Sequence, residues 1–126
     1  MKRKILLDTN FLLIPAQFNV DIFSEIDRLM LENYHLFVLD KTIAELKKIT
    51  ADRKQSLKHR NAAKLALQLI KAKQVKIIET AEDLPVDDLI ARMQKDYIVA
   101  TQDIALKRRL NTKIITLRAK KKLIVV

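Results

Sequence analysis

The stretch Lys4-Ile5-Leu6-Leu7-Asp8-Thr9-Asn10 decides how the rest of the chain is read. Three consecutive apolar residues make a short strand, and an acid, a hydroxyl and an amide stand where it ends. A strand without polar alternation belongs to a parallel sheet covered on both faces. In such sheets, sites lie beyond the carboxyl ends of the strands. A carboxylate there, in a chain of net charge +10, points to a metal ion held against a polyanion.

Outward from this stretch, strand and helix signals alternate. Phe11–Ile14 is an apolar segment that stops at Pro15. Asn19 has the character of an N-cap for a helix from Val20 to about Asn33, with Ile22, Phe23, Ile26, Leu29 and Met30 at helical spacing. Leu36–Leu39 is a second strand, closed by Asp40. Helices follow over Thr42–Thr50 and Ser56–Ala72, then strands at Val75–Ile78 and Tyr97–Ala100 around a helix from Val86 to about Lys95. Ile104–Leu110 is a short basic helix, Lys113–Leu117 a fifth strand, and Leu123–Val126 a further edge strand. No Asn-Gly or Asp-Gly pair signals a tight hairpin. The pattern predicts a three-layer α/β/α fold with a central, mostly parallel sheet of about five strands.

Composition narrows the chemistry. The 126 residues, 49% hydrophobic and 32% charged, fit one globular domain spanning 1–126. No apolar run approaches the ~20 residues of a membrane span, and Asp8 cuts short the apolar run after the basic N-terminus, so neither a membrane partner nor a signal peptide is expected. Cysteine is absent, which removes disulfides, thiolate metal sites and cysteine nucleophiles and fits a cytoplasmic protein. Glycine is absent too, which removes the glycine-rich loops that cradle nucleotide phosphates. With only two histidines, His35 and His59, a metal would be a hard ion on oxygen ligands, Mg²⁺ or Mn²⁺. Charge is segregated. Residues 43–76 carry ten basic and two acidic side chains and residues 101–126 eight and one, around an acidic segment at 77–100 with two and six. Two basic blocks favour a nucleic-acid footprint.

Asp8 and Asp103 each follow an apolar strand. If the two strands are parallel, both acids lie at one edge of the sheet. Glu45 sits about one turn into the helix after the second strand. Asp87 and Asp88 open a later helix. Singly, Asp8 and Asp103 read as helix caps, Asp87 and Asp88 as first-turn acids on a macrodipole, and Glu45 as a partner of Lys41 or Lys48. Together at one edge they would repel unless a cation held them. Carboxylates clustered on such an ion activate water against a phosphodiester.

On these residues the chain resembles the PIN-domain ribonucleases from end to end. The resemblance is carried by Ile5-Leu6-Leu7-Asp8-Thr9-Asn10, Glu45, Asp87-Asp88-Leu89-Ile90-Ala91 and Ile98-Val99-Ala100-Thr101-Gln102-Asp103, in that order. With Leu106-Lys107-Arg108-Arg109-Leu110 it looks most like the archaeal branch, similar to VapC-type toxins and to the PIN nuclease of the small-subunit processome. The resemblance implies catalytic acids and metal ligands at Asp8, Glu45, Asp87 and Asp103, with Asp88 as the substitute for Asp87. It implies ligand-orienting hydrogen bonds from Asn10 and Thr101, while Thr9 caps or packs. RNA would meet Lys107, Arg108, Arg109, Lys58 and Arg60. Tyr97 and the four phenylalanines read as core, leaving recognition to backbone charge and shape. The implied activity is a metal-dependent endoribonuclease, either a ribosomal RNA processing enzyme or a toxin checked by an antitoxin. Implied partners are RNA, an antitoxin or ribosome-assembly protein, and a second copy meeting through Leu12-Leu13-Ile14 or the Val20–Met30 helix. A PIN-like module that binds RNA without cutting conflicts with the full set of acids. A phospho-acceptor receiver domain conflicts with the third strand's running into Glu79-Thr80.

Overall fold

The computed structural model describes residues 2–126. The strands are β1 (Arg3–Leu7), β2 (Tyr34–Leu39), β3 (Lys76–Ile78), β4 (Ile98–Ala100), β5 (Ile114–Arg118) and β6 (Lys122–Val125). The helices are α1 (Ile14–Phe18), α2 (Ile22–Leu29), α3 (Asp40–Ala51), α4 (Leu57–Ala72), α5 (Val86–Met93) and α6 (Ile104–Arg108), with 3₁₀ turns at Asn10–Leu13 and Gln94–Asp96. One sheet has the order β3-β2-β1-β4-β5-β6. All neighbours are parallel except β5 and β6. The expected count of about five strands becomes six.

The α/β/α layering follows from side-chain alternation. Ile5, Leu7, Val38, Ile98, Ala100 and Ile115 point to one face, where they pack with Ile22, Phe23, Ile26, Leu46, Ala62, Ala63 and Ala66 of α2, α3 and α4. Leu6, Leu39, Val99 and Ile114 point to the other, beneath Val86, Leu89 and Ile90 of α5 and Leu106 of α6. β1 is central and its last three residues are inaccessible to solvent, which is why its sequence shows no alternation.

Local chemistry revises several boundaries. Pro15 does not end the apolar segment. It occupies the start of α1, where its missing N–H costs nothing. Asn19 does not cap α2 but closes α1 in the left-handed conformation (φ 53°), which asparagine tolerates. Asp21 is the N-cap, its carboxylate accepting from the Phe23 and Ser24 amides at 3.1 Å. α2 ends at Leu29, four residues short of the expected Asn33. A tight hairpin also forms without its usual signal. Ala119 and Lys120 both have positive φ (55° and 57°) between β5 and β6, with the Lys121 amide donating to the Arg118 carbonyl at 3.1 Å. Two consecutive positive φ values mark the type I′ turn that usually calls for Asn-Gly.

The apolar surfaces expected to hold a second copy are used within the chain. Leu12, Leu13 and Ile14 are at most 3% exposed, and Ile22, Phe23 and Ile26 of α2 are buried.

Replacing Ala119-Lys120 by Asn-Gly puts asparagine, which tolerates the left-handed region, and glycine, which enters it freely, where alanine and lysine each cost about 1–2 kcal/mol, offset in part by glycine's entropy. Urea unfolding should show a gain of about 1 kcal/mol, seen as a higher midpoint at unchanged slope.

Candidate functional site

The register of β1 and β4 builds the centre of the site. Leu7 pairs with Ala100, so Asp8 and Thr101 stand side by side as the two strands end. The Asp8 amide continues the ladder by donating to the Ala100 carbonyl at 2.9 Å. The Asp8 carboxylate accepts from the Thr9 amide at 2.8 Å and from the Thr101 hydroxyl at 2.7 Å. Thr101 is inaccessible to solvent and Asp8 only 6% exposed. The same Thr101 oxygen accepts the Asp103 amide at 3.1 Å. One hydroxyl thus fixes both strand-end acids.

The other acids arrive from helices. Glu45 lies on α3, and its carboxylate accepts from the Thr9 hydroxyl at 3.2 Å, which in turn sits 3.2 Å from the buried Thr42 hydroxyl. Asp87 lies in the first turn of α5. Its approach is set from a distance, because the Asp40 carboxylate at the start of α3 accepts from the Thr80 amide (3.0 Å) and hydroxyl (2.7 Å). These bonds hold the Asp40 carboxyl below its ordinary pKa and tether the loop leading to Pro85 and α5. Asp103 is the N-cap of α6, accepting from the Leu106 amide at 3.1 Å. The cap role weighed from sequence is therefore real, and leaves its second oxygen free of that bond.

Asp8, Glu45, Asp87 and Asp103 line one open cavity of about 500 Å³, together with Lys41 and Lys48. Asp88 does not line it. Burial raises the Asp8 pKa above its ordinary value, and the charges of Asp103 and Asp87 push the same way against the hydrogen bonds from Thr101 and Thr9. Glu45 is exposed as a residue, yet its carboxyl is partly desolvated at the cavity wall. Its pKa is also raised, first by that desolvation and then by Asp8 and Asp87, against the Thr9 bond. Among the described residues no three of these groups form a ready-made coordination set. The donor set nonetheless suits a hard divalent cation. All its donors are carboxylate oxygens, and they repel one another without a neutralising partner at the centre.

The basic residues divide. Lys58 and Arg108 are exposed and Lys107 is half-buried. Arg109, expected on RNA, is engaged by the α5 acids, at 2.8 Å from Asp88 and 3.6 Å from Asp87. Arg60 is half-buried, with its Nε enclosed and unpartnered among the described residues. Asn10 is exposed on the cavity wall. Reading from the sequence missed Lys41 and Lys48 as cavity residues, although positions 41, 45 and 48 share one helix face. Lys41 pairs with Asp83 at 3.8 Å instead of Glu45. It also undervalued Thr9, which positions Glu45. Of the aromatic residues read as core, Phe11 and Phe23 are buried, while Phe18, Phe37 and Tyr97 remain half-buried at the surface.

The family model described as PIN like domain matches residues 5–120. The chain belongs to the PIN-like family. This PIN-like domain is 28% identical over 123 residues to Ribonuclease VapC4 of Methanocaldococcus jannaschii, covering 94% of this chain and 92% of that protein. Among solved structures, it superposes on the PIN domain endonuclease Utp24 with a TM-score of 0.78 at 24% identity, covering 97% of this chain and 90% of that one. It also superposes on VapBC2 from Rickettsia felis, solved with a DNA fragment from its promoter, with a TM-score of 0.61 at 17% identity, covering 90% and 98%. At these identities the structural likeness bears on the fold. Among the described residues no helix is long and apolar enough to cross a membrane.

The raised pKa values carry a sign. A carboxyl whose folded pKa lies above its unfolded value opposes folding once ionised. That opposition is absent below the unfolded pKa and grows as pH rises through the folded one. Without divalent metal at pH 7, Asp8→Asn should therefore melt above wild type. The gap should narrow as pH falls from 7 into the ordinary carboxylate range. Calorimetry in a chelating buffer checks this, and an equal or lower Tm for the variant contradicts it.

Proposed function

We propose that this protein is a Mg²⁺- or Mn²⁺-dependent endoribonuclease that hydrolyses phosphodiester bonds of structured RNA, with ribosomal RNA precursors as its substrate class. The observation that carries the reading is the convergence of Asp8, Glu45, Asp87 and Asp103 on one cavity in a strongly basic chain. Family membership and the similarity to a ribonuclease across 94% of the chain support it.

Asp8, Asp87 and Asp103 would hold the ion, with Glu45 as the fourth acid. Asp87 is preferred to Asp88 because only Asp87 lines the cavity. The bound ion would supply a Lewis acid and a water activated for attack on phosphorus. The chain's own residues then have definite tasks. Thr101 keeps the Asp8 carboxylate turned toward the cavity and ties it to Asp103. Thr9 holds Glu45 at the opposite wall, where it can accept a proton from the attacking water. Lys41 and Lys48 offer ammonium groups to phosphates entering beside α3, and Lys58, Lys107 and Arg108 extend that field outside. Arg109 restrains Asp87 and Asp88 as a positioning residue.

A second reading, a VapC-type toxin restrained by an antitoxin, is favoured by the similarity to VapC4. The two differ in cells. A toxin's unpartnered expression arrests growth and Asp8→Asn abolishes the arrest, whereas a processing enzyme leaves growth unaffected.

Cleavage of a structured RNA in Mn²⁺ should fall at least a thousandfold in Asp8→Asn, the scale of losing a group on which the reaction's charge stabilisation depends. Equal cleavage by both proteins overturns the assignment. Titration of Mn²⁺ by calorimetry should show Asp8→Asn weakening binding more than Asp103→Asn, because Asp8 is enclosed at the centre while Asp103 is half-exposed at the margin. The reverse order contradicts this ranking.

A further inference from the structure

A second groove opens directly off the acidic cavity. It measures about 320 Å³ and is lined by Asn10, Gln17, Phe18, His59, Gln102 and Asp103. Asn10 and Asp103 line both spaces, so a chain held at the acids would place its neighbouring residue here. The lining has the character of a small-ligand pocket, a few convergent polar groups beside an aromatic ring. Phe18 is half-buried and lines the groove, and the Lys120 ammonium stands over its ring, 5.9 Å from the ring centre, which brings a cation to the groove's edge.

Gln102 gives the groove directionality. Its Oε1 accepts from the Thr116 hydroxyl at 2.7 Å and from the Leu117 amide at 2.6 Å. A backbone N–H can only donate, so the carboxamide cannot be turned round, and its oxygen is committed to β5. The NH₂ end has no partner among the described residues. The fold therefore presents a fixed donor, and not an interchangeable amide, one residue from Asp103.

We propose that this groove is a base-specificity pocket in which Gln102 reads the nucleotide next to the scissile phosphate as a keto base, guanine or uracil, with Phe18 against the ring of that base. The proposal rests on the nuclease reading of the acidic cavity. A fixed NH₂ donor is matched by O6 of guanine or O4 of uracil. It meets a like donor in the exocyclic amine of adenine or cytosine. One matched neutral hydrogen bond supports a preference of roughly three- to tenfold.

Gln102→Glu is the informative change, because it keeps an oxygen for Thr116 and Leu117 while replacing the donor with an acceptor. Four RNAs differing only at the base beside the cleaved bond are compared in competition, so that any general effect of the added charge cancels in the ratio. The wild type should favour G and U over A and C. Gln102→Glu should invert or erase the preference, and Gln102→Met should erase it. The same four bases are compared in short single strands binding to Asp8→Asn protein by fluorescence anisotropy, which needs no cleavage. A wild-type ratio of one, or a ratio unchanged in Gln102→Glu, overturns the pocket. Absence of all cleavage with the binding preference intact overturns the nuclease reading alone.

Discussion

The structure turns on a carboxylate that is held nearly out of water. Asp8 sits where the central strand ends, 6% exposed, among other acids. Such a group is costly unless donors hold its charged form. The Thr101 hydroxyl and the Thr9 amide are those donors; the Thr9 bond is local, and the Thr101 bond exists only because β1 and β4 are adjacent, parallel and in this register. A shift of one residue would turn Asp8 to the other face of the sheet. Sheet topology and site chemistry are thus one constraint.

Around this centre the two threonines play matched parts. Thr101 links Asp8 to Asp103, and Thr9 links the end of β1 to Glu45 on α3. Neither carries charge, yet each determines where a charge points. The third acid is positioned more remotely, through the Asp40–Thr80 pair that ties α3 to the loop before α5. The site therefore has a stiff side, built on buried strands, and a side whose geometry passes through an exposed loop. Lys41 and Lys48 sit on that second side, where phosphates would enter.

Much of this was legible in the sequence because its signals are local and strong. Unbroken apolar runs ending in acids mark parallel strands and their carboxyl edge, which puts Asp8 and Asp103 side by side; Glu45 and Asp87 were singled out by the resemblance to a family, and all four line one cavity. What escaped depends on tertiary context. Asn19 and Asp21 are both good caps by composition, and only the left-handed turn at Asn19 separates their roles. The Ala119-Lys120 turn uses residues that do not advertise a hairpin, because β6 is held from outside by α2, with Arg28 donating to the Leu123 carbonyl and Glu25 accepting its amide. Gln102 reads as an ordinary polar residue until the Leu117 amide fixes its orientation. Lys41 and Lys48 read as solvated charges until the cavity beside them is seen.

The hydrogen bond between Asp8 and Thr101 joins residues 93 apart in the chain. A ribosome delivering this protein releases Asp8 and Glu45 early. Until the fourth strand emerges, the partially made chain has neither the Thr101 hydroxyl nor Asp103, and so no closed set of acids. On the proposed reading, a chain built in this order would be inert toward RNA until β4 has emerged, and its set of acids would be complete with four of the six strands made.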